Sequence, residues 1–502
     1  MGISGKSVPR YLCPIPEQVR WKDGEYEFGA EVLCSIDPSL AEGELKEGLK
    51  GELGRGLTGT IKDLWGKFTL GIGKIELIPF SDLAASCVVI KKSVDLAEEG
   101  YELYVNGQGI EIRVSSVRGF LHAWYTLVQL IYPRSLEPGP EKFAIPRVEI
   151  ADKPALKFRG LHLCVFPETT LTFLEKSIRM AGLMKFSHIV LEFWGTLQSD
   201  VMAEFAWPDH SYTKGEVQPL IDIAHDMGME VIPMLNCLGH ASGSRALYGR
   251  HVVLDQNPRK ALLFEPDGWT WCLSNPETRE LLKAARRELI ELCGEGRYFH
   301  LGFDEAYSYA TCDRCRQKDG TVMFAEYLNE VTEELVQIGR RSIIWGDALL
   351  DQTKWKYPNI ATSRPDQRTH DALDRMDKRI LIADWQYNVT EGKVPTSEYF
   401  MQKGFDTLLC SYNNNQNIST LGKEAQKTEA FGLLATTWHT LPEHITLIPC
   451  AAEAAWSKEK EGRPFTSKGG NIQTLAANLQ RKLVPVNGIY EAAGWRRKEV
   501  DI

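Results

Sequence analysis

The sequence predicts an α/β protein, a (β/α)8 barrel preceded by a small α+β domain. Three observations carry this. After Arg159, short apolar runs alternate with amphipathic stretches at helical spacing, which implies a parallel sheet. Eight such runs fall within roughly 300 residues, the number that closes a barrel. The first third has a different rhythm, and a Pro- and Gly-rich stretch separates it from the rest. A doubly wound open sheet is the alternative arrangement.

Taken in order, "ASCVVIKK" and "YELYVNGQGIEIRVSS" read as strands, with Asn106-Gly107 turning the second into a hairpin. "VRGFLHAWYTLVQLI" carries apolar residues at helical spacing, and "YPRSLEPGPEKFAIPRVEIADKPALKF" reads as a linker. The barrel strands are then "RGLHLCVF", "HIVLEFW", "EVIPMLNCL", "YFHLGFDE", "RSIIWGDAL", "RILIADWQY", "DTLLCSYN" and "GLLATTWHT". A last barrel helix lies near "EHITLIPCAAEAAW", and a polar, basic tail of helix and extended chain follows. The expected domains are 1–152 (α+β), 153–457 (barrel) and 458–502 (tail packed on the barrel).

With 502 residues the chain exceeds one ordinary domain, and its 43% hydrophobic and 25% charged residues mark it as globular. A net charge of -9 argues against nucleic acid as a partner. No apolar run reaches the ~18 residues of a membrane helix, and the first residues show no signal-peptide core. Eleven scattered cysteines fit reduced thiols, so a cytoplasmic location without membrane insertion is expected. A homodimer is left open.

In a barrel, chemistry sits where the strands end. Here those ends carry His240, Asp304-Glu305, Trp345-Gly346-Asp347, Asp384-Trp385, Tyr412-Asn413-Asn414 and Trp438-His439, while Arg159 opens the first strand. Any one tryptophan is most simply a core residue. As a group with polar partners they describe a sugar pocket.

The adjacent acids need explaining. Most glycosidases flank the scissile bond with two carboxyls, ~5–5.5 Å apart for retention and ~6.5–9.5 Å for inversion. Neighbours in a strand face opposite ways, so Asp304 and Glu305 cannot take those stations in extended geometry. One acid can protonate the leaving oxygen while the other holds a different group of the same substrate. The nucleophile must then come from elsewhere, and the 2-acetamido oxygen of an N-acetylhexosamine is available. The bland reading, a solvated helix N-cap pair, fits poorly at the end of an apolar strand.

These residues carry a resemblance. "HLGFDE" resembles the His-x-Gly-Gly-Asp-Glu motif of glycoside hydrolase family 20, the β-N-acetylhexosaminidases. "GYELYVNGQGIEIRVSSVRGFLHAWYTLVQLI" is similar to that family's N-terminal domain, and "IPRVEIADKPALKFRGLHL" to its lead into the barrel. The resemblance implies Glu305 as general acid and base, and Asp304 as the group that orients the acetamide. It further implies Tyr412 as donor to the acetamido carbonyl, and Trp345, Trp385 and Trp438 as the walls around the sugar. Arg159, His240 and Asn414 would bind substrate, with His300 and Glu192 in support.

The departures from the family pattern are specific. Phe303 stands where a second Gly is usual, and Cys164 where an Asp is common. The second strand lacks the paired Asp that serves His240, for which Glu192 is the candidate substitute. Asn414 and Thr440 stand where acids often bind outer hydroxyls, so both gluco and galacto sugars are expected to be accepted. The pattern Gly54-x-Gly56-x-x-Gly59 is set aside because no strand precedes it. Cys312-Asp-Arg-Cys315 is read as a pair of loop thiols, since no second Cys or His pair lies nearby in sequence. No metal or cofactor is expected.

The resulting expectation is a retaining, substrate-assisted exo-β-N-acetylhexosaminidase acting on an N-acetylhexosamine-terminated oligosaccharide or glycolipid. A catalytically silent sugar-binding protein and another acetamido-assisted glycosidase are the alternatives.

Overall fold

The computed structural model describes residues 12–37, 40, 56–79, 86–134, 142–241, 251–438, 447–458 and 470–484. Gly54, His439, Thr440 and most of the basic tail lie outside them. No helix among the described residues is long and apolar enough to cross a membrane.

The N-terminal unit is a mixed sheet of β1 (Gln18–Gly29), β2 (Glu31–Ile36), β3 (Lys74–Pro79), β4 (Val88–Lys92), β5 (Tyr101–Val105), β6 (Ile110–Val114), β7 (Tyr132–Pro133) and β8 (Lys142–Asp152). Its order is β1-β8-β5-β6-β4-β2-β3, with β7 pairing β8. The β5–β6 hairpin turns where expected, because the Asn106 side chain accepts from the Gln108 and Gly109 N–H groups. Alternate residues of both strands are buried beneath the helices Gly56–Phe68 and Val117–Gln129, giving the apolar face its cover. The stretch read as a linker is corrected here. Its central part is β8, an eleven-residue strand between β1 and β5. Its "FAIPRVEIAD" alternation was masked by the prolines around it.

The barrel strands are β9 (Phe158–Val165), β10 (His188–Phe193), β11 (Glu230–Met234), β12 (Tyr298–His300), β13 (Arg341–Trp345), β14 (Leu381–Trp385), β15 (Thr407–Ser411) and β16 (Gly432–Ala435). They close in chain order, β16 pairing with β9. All eight coincide with the expected runs. Phe158, Val190, Ile232, Tyr298, Ile343, Leu381, Leu408 and Leu434 fill the interior, while Leu161, Leu163 and Val165 of β9 pack outward into the core shared with the helices.

The sheet meets the barrel through a buried polar knot. Asp152, the last residue of β8, accepts from Tyr101 (2.7 Å), Lys185 (2.9 Å) and Trp456 (2.9 Å) on one oxygen. Its other oxygen accepts from the backbone N–H groups of Glu17 and Lys153. Both side chains of the Asp152–Lys185 pair are fully buried, so each charge depends on the other.

Arg159 belongs to the same junction, which corrects its expected role as a sugar ligand. Phe158 and His162 face the barrel interior and Arg159, of opposite parity, faces out. It sits near the N-terminal end of β9 with its guanidinium on Glu99 (2.8 and 3.0 Å) and on the carbonyls of Lys185 and Leu156. Its guanidinium also lies 5.0 Å over the Trp456 ring. Arg159 therefore clamps the two units together at the end of the barrel away from the site.

Asp152→Asn should leave Lys185 buried without its counter-charge and destabilise the protein by about 3–5 kcal/mol. Urea unfolding followed by tryptophan fluorescence checks this; a change below about 1 kcal/mol would contradict the assigned role of the knot.

Candidate active site

Strand β12 ends at His300, and the chain then leaves strand geometry. Gly302, Phe303 and Glu305 have φ of 71°, 80° and 48°, all in the left-handed region. Leu301 and Gly302 still bridge the neighbouring strands, the Leu301 N–H donating to Ile343 and its carbonyl accepting from Cys237, while the Gly302 carbonyl accepts from Trp345. The kink turns Asp304 and Glu305 toward one partner. His240 Nε2 lies 3.3 Å from Asp304 Oδ2 and 3.1 Å from Glu305 Oε2. Gly239 permits this approach, since a Cβ there would stand 1.9 Å from the Asp304 carbonyl oxygen.

Phe303 replaces a glycine in a conformation that favours glycine, and packing holds it. It is fully buried, edge-on to Phe324 at 5.4 Å and stacked with Tyr327 at 6.2 Å. Gly302 itself cannot change, because a Cβ would meet Asn236 Oδ1 at 2.3 Å.

Charge in the cluster follows from burial and proximity. Burial alone would depress the His240 pKa, but the two carboxylates outweigh it and raise it from 6.5 to about 10. Burial raises Asp304 even against the pull of His240. Glu305 is more open; burial pushes it up, yet hydrogen bonds from His240 and Tyr307 leave it below the ordinary value. Asp304 Oδ1 is buried and has no hydrogen-bond partner among the described residues, and neither has His240 Nδ1.

Asp347, at the end of β13, stands behind the acids. One of its oxygens accepts from the Glu305 N–H (3.1 Å) and from Thr362 (2.6 Å), the other from Trp385 Nε1 (2.8 Å). Burial and the nearby Asp304 charge raise its pKa from 3.8 to about 7. From the other side, Trp269 donates to the Glu305 carbonyl at 2.7 Å and lies 4.6 Å from the His240 ring. Both backbone polar groups of Glu305 are therefore held.

An aromatic wall continues from the acids. Trp385 contacts Tyr387 at 5.1 Å, and Tyr387 contacts Tyr412 at 5.2 Å. The Tyr387 hydroxyl accepts from Trp438 Nε1 (2.6 Å) and Thr436 (3.0 Å). Trp345 is fully buried behind Trp438, enclosed with His300 and His162, so it supports the wall and presents no open face. His300 lies beneath; its Nδ1 accepts from the Gly302 N–H, and burial, with His162 nearby, keeps it well below its usual pKa.

The structure thus brings Asp304, Glu305 and His240 into direct contact and places Trp385, Tyr412 and Trp438 along one wall, with Trp345 and His300 behind. Three other expected residues have different work. Arg159 is at the far end. Glu192 does not serve His240; its oxygens take His162 Nε2 (2.8 Å) and Asn236 Nδ2 (2.7 Å). Exposed Asn414 caps the helix Asn415–Lys427, its side-chain oxygen accepting from Gln416 and Asn417. Asp384 also turns away, toward Gln386, Thr396 and Ser397. Sequence reasoning assigned no role to Asp347, Tyr307, Tyr387 and Trp269. The first three stand within two residues of a named site residue, a proximity that could have marked them. Trp269 lies in a loop with no periodic signal.

Two groups have metal-ligand chemistry among the described residues: His162, Cys164 and Glu192 inside the barrel, and Glu265, Cys272, Cys312 and Cys315 beside the acid loop. In the first, both Glu192 oxygens are already bonded to side chains.

Comparison with known proteins gives a consistent result. The family model "Glycosyl hydrolase family 20, catalytic domain" matches residues 188–458, and "Glycosyl hydrolase family 20, domain 2" matches 10–153. Among curated relatives, a beta-hexosaminidase of Porphyromonas gingivalis is 24% identical over 52% of this chain and 37% of its own length. A lacto-N-biosidase of Bifidobacterium bifidum is 22% identical over 67% of this chain and 30% of its own. The chain thus spans about a third of the length of these relatives. A solved β-N-acetylhexosaminidase from Bacteroides fragilis superposes with a TM-score of 0.69 at 17% identity, covering 97% of this chain and 99% of that one. The chain belongs to glycosyl hydrolase family 20.

Proposed function

We propose that this chain is a retaining exo-β-N-acetylhexosaminidase that uses the substrate's own acetamide as nucleophile. One observation carries the reading: Asp304 keeps a buried acceptor oxygen, without a partner among the described residues, beside Glu305, with His240 bridging the two acids. An acetamido N–H is a donor that this oxygen lacks. A sugar-binding protein without catalysis has no need to hold two acids and a charged histidine together.

In the first step the acetamido carbonyl oxygen attacks C1 while Glu305 gives its proton to the leaving oxygen. The glycosidic bond breaks and a bicyclic oxazolinium forms. Asp304 holds the acetamido N–H, fixes the group for attack and offsets the positive charge that develops on it. In the second step Glu305 takes a proton from water, which opens the ring at C1 and returns the acetamide. Two inversions give net retention, as in the substrate-assisted exceptions to the two-carboxylate scheme. The free enzyme holds Glu305 charged against protonated His240; a sugar that expels water removes the solvation of that charge and favours moving the proton to Glu305.

Trp385, Tyr412 and Trp438 are assigned to the sugar pocket, with Tyr412 donating to the acetamido carbonyl. Terminal GlcNAc and GalNAc are both taken as substrates, because Asn414 and Thr440 stand where the family often has hydroxyl-binding acids.

p-Nitrophenyl N-acetylglucosaminide should be hydrolysed by the wild type. Glu305→Gln and Asp304→Asn should each lower kcat by about 10²–10⁴-fold, and the plain glucoside should be a very poor substrate. Near-full activity of Glu305→Gln would overturn the assignment, and an inactive wild type would favour a binding protein.

His240 titrates near 10 in the folded protein and near 6.5 unfolded. The stability tied to its charge is therefore complete below about pH 6.5 and is lost as pH rises through about 10. His240→Gln should lower Tm most at about pH 6.5 and just below, and the gap from wild type should narrow toward pH ~10. Thermal scans across that range check this; a gap that widens with pH contradicts it.

A further inference from the structure

Beside the acid loop, Cys272 meets the Cys312-Cys315 pair, 40 residues further along the sequence. Cys272 Sγ lies 3.5 Å from Cys312 Sγ and 3.6 Å from Cys315 Sγ. Glu265 joins them, so that one ligand atom from each of the four lies within 4.8 Å of all the others. Sulfurs bound to one tetrahedral zinc at ~2.3 Å are about 3.8 Å apart, close to the spacing here. The expectation of an isolated pair of loop thiols overlooked Cys272 and Glu265, because a 40-residue separation hides the group from any local pattern.

The carboxylate supplies the second observation. Glu265 is 1% exposed, and its Oε1 has no hydrogen-bond partner among the described residues apart from the neighbouring Cys315 thiol that would be its co-ligand. Its Oε2 accepts from the N–H groups of Thr311 and Cys312. A buried carboxylate with one saturated and one bare oxygen is costly unless a cation takes the bare one. All three thiols are free of disulfides.

We propose that Cys272, Cys312, Cys315 and Glu265 form a structural zinc site. On binding, the three thiols release their protons and the metal takes three thiolate sulfurs and one carboxylate oxygen. A thiolate-rich, four-ligand set selects zinc over the hard cations and leaves no open position for chemistry. The excess negative charge meets main-chain donors: Thr311 and Cys312 on Glu265, and the Cys315 N–H, 3.4 Å from Cys312 Sγ.

The site has a mechanical consequence. Its ligands tie the segment 265–272 to the segment 312–315, and Trp269, between Glu265 and Cys272, is the residue that holds the Glu305 carbonyl. Ser308 is bonded to Asp267 and Thr270 across the same gap. Zinc would thus fasten the loop that fixes the general acid, without touching substrate.

The test is metal content. The full chain, purified under reducing conditions without chelator, should carry about one zinc per chain by inductively coupled plasma mass spectrometry. Cys312→Ala and Glu265→Gln should each lower that occupancy at least severalfold. Protein stripped of metal and given Co2+ should show thiolate-to-cobalt charge-transfer and tetrahedral d–d absorption, which tests the site in the wild type even where a variant fails to fold. Wild-type protein that carries no zinc and gives no such cobalt spectrum would overturn the proposal. So would zinc retained at full occupancy in folded Cys312→Ala, or a disulfide among these cysteines in protein kept reduced.

Discussion

Two neighbouring carboxylates can share one cation only if the chain that carries them stops being a strand. That constraint organises the site. Gly302, Phe303 and Glu305 all adopt positive φ, at a cost of roughly 1–2 kcal/mol for each residue that is not glycine. Buried packing of Phe303 against Phe324 and Tyr327 offsets it on one side. On the other, Asp347 and Trp269 hold the N–H and carbonyl of Glu305. Without the kink, Asp304 and Glu305 would face opposite ways and His240 could reach one of them.

The cluster also shows how a divergent member keeps two acids and a histidine together with changed supporting residues. The acid that His240 lacks on its second nitrogen is not replaced by Glu192, which is committed to His162 and Asn236. His240 instead takes its charge from the two carboxylates it bridges. Two polar chains therefore end side by side at the top of the barrel: His162–Glu192–Asn236, in which both Glu192 oxygens are taken, and His240–Asp304–Glu305, in which Asp304 keeps an acceptor without a partner among the described residues.

Much of the fold was legible because barrel strands buried on both faces read as short, nearly continuous apolar runs, and all eight did. The prolines flanking β8 hid a central strand, since local turn signals cannot register pairing with β1 and β5. In the site, Asp304, Glu305 and His240 were legible because their residue types and order fit one chemistry. Arg159 was misread by position in a motif, although alternation along β9 places it opposite His162 and so outside the barrel. Asn414 and Glu192 failed for another reason: a helix cap and a buried histidine partner satisfy the same polar atoms that a sugar would. Trp269 and the Cys272 thiol were invisible, being long-range contacts from an irregular loop.

The central claim is that the nucleophile belongs to the substrate, with Asp304 aiming it. Progressive fluorination of the N-acyl methyl group on an aryl glucosaminide tests this directly, because each fluorine weakens the carbonyl oxygen and leaves the leaving group unchanged. The account predicts that kcat/KM falls steeply and monotonically from acetyl to trifluoroacetyl. A series with flat rates would place the nucleophile on the protein or on water and contradict the division of labour between Asp304 and Glu305.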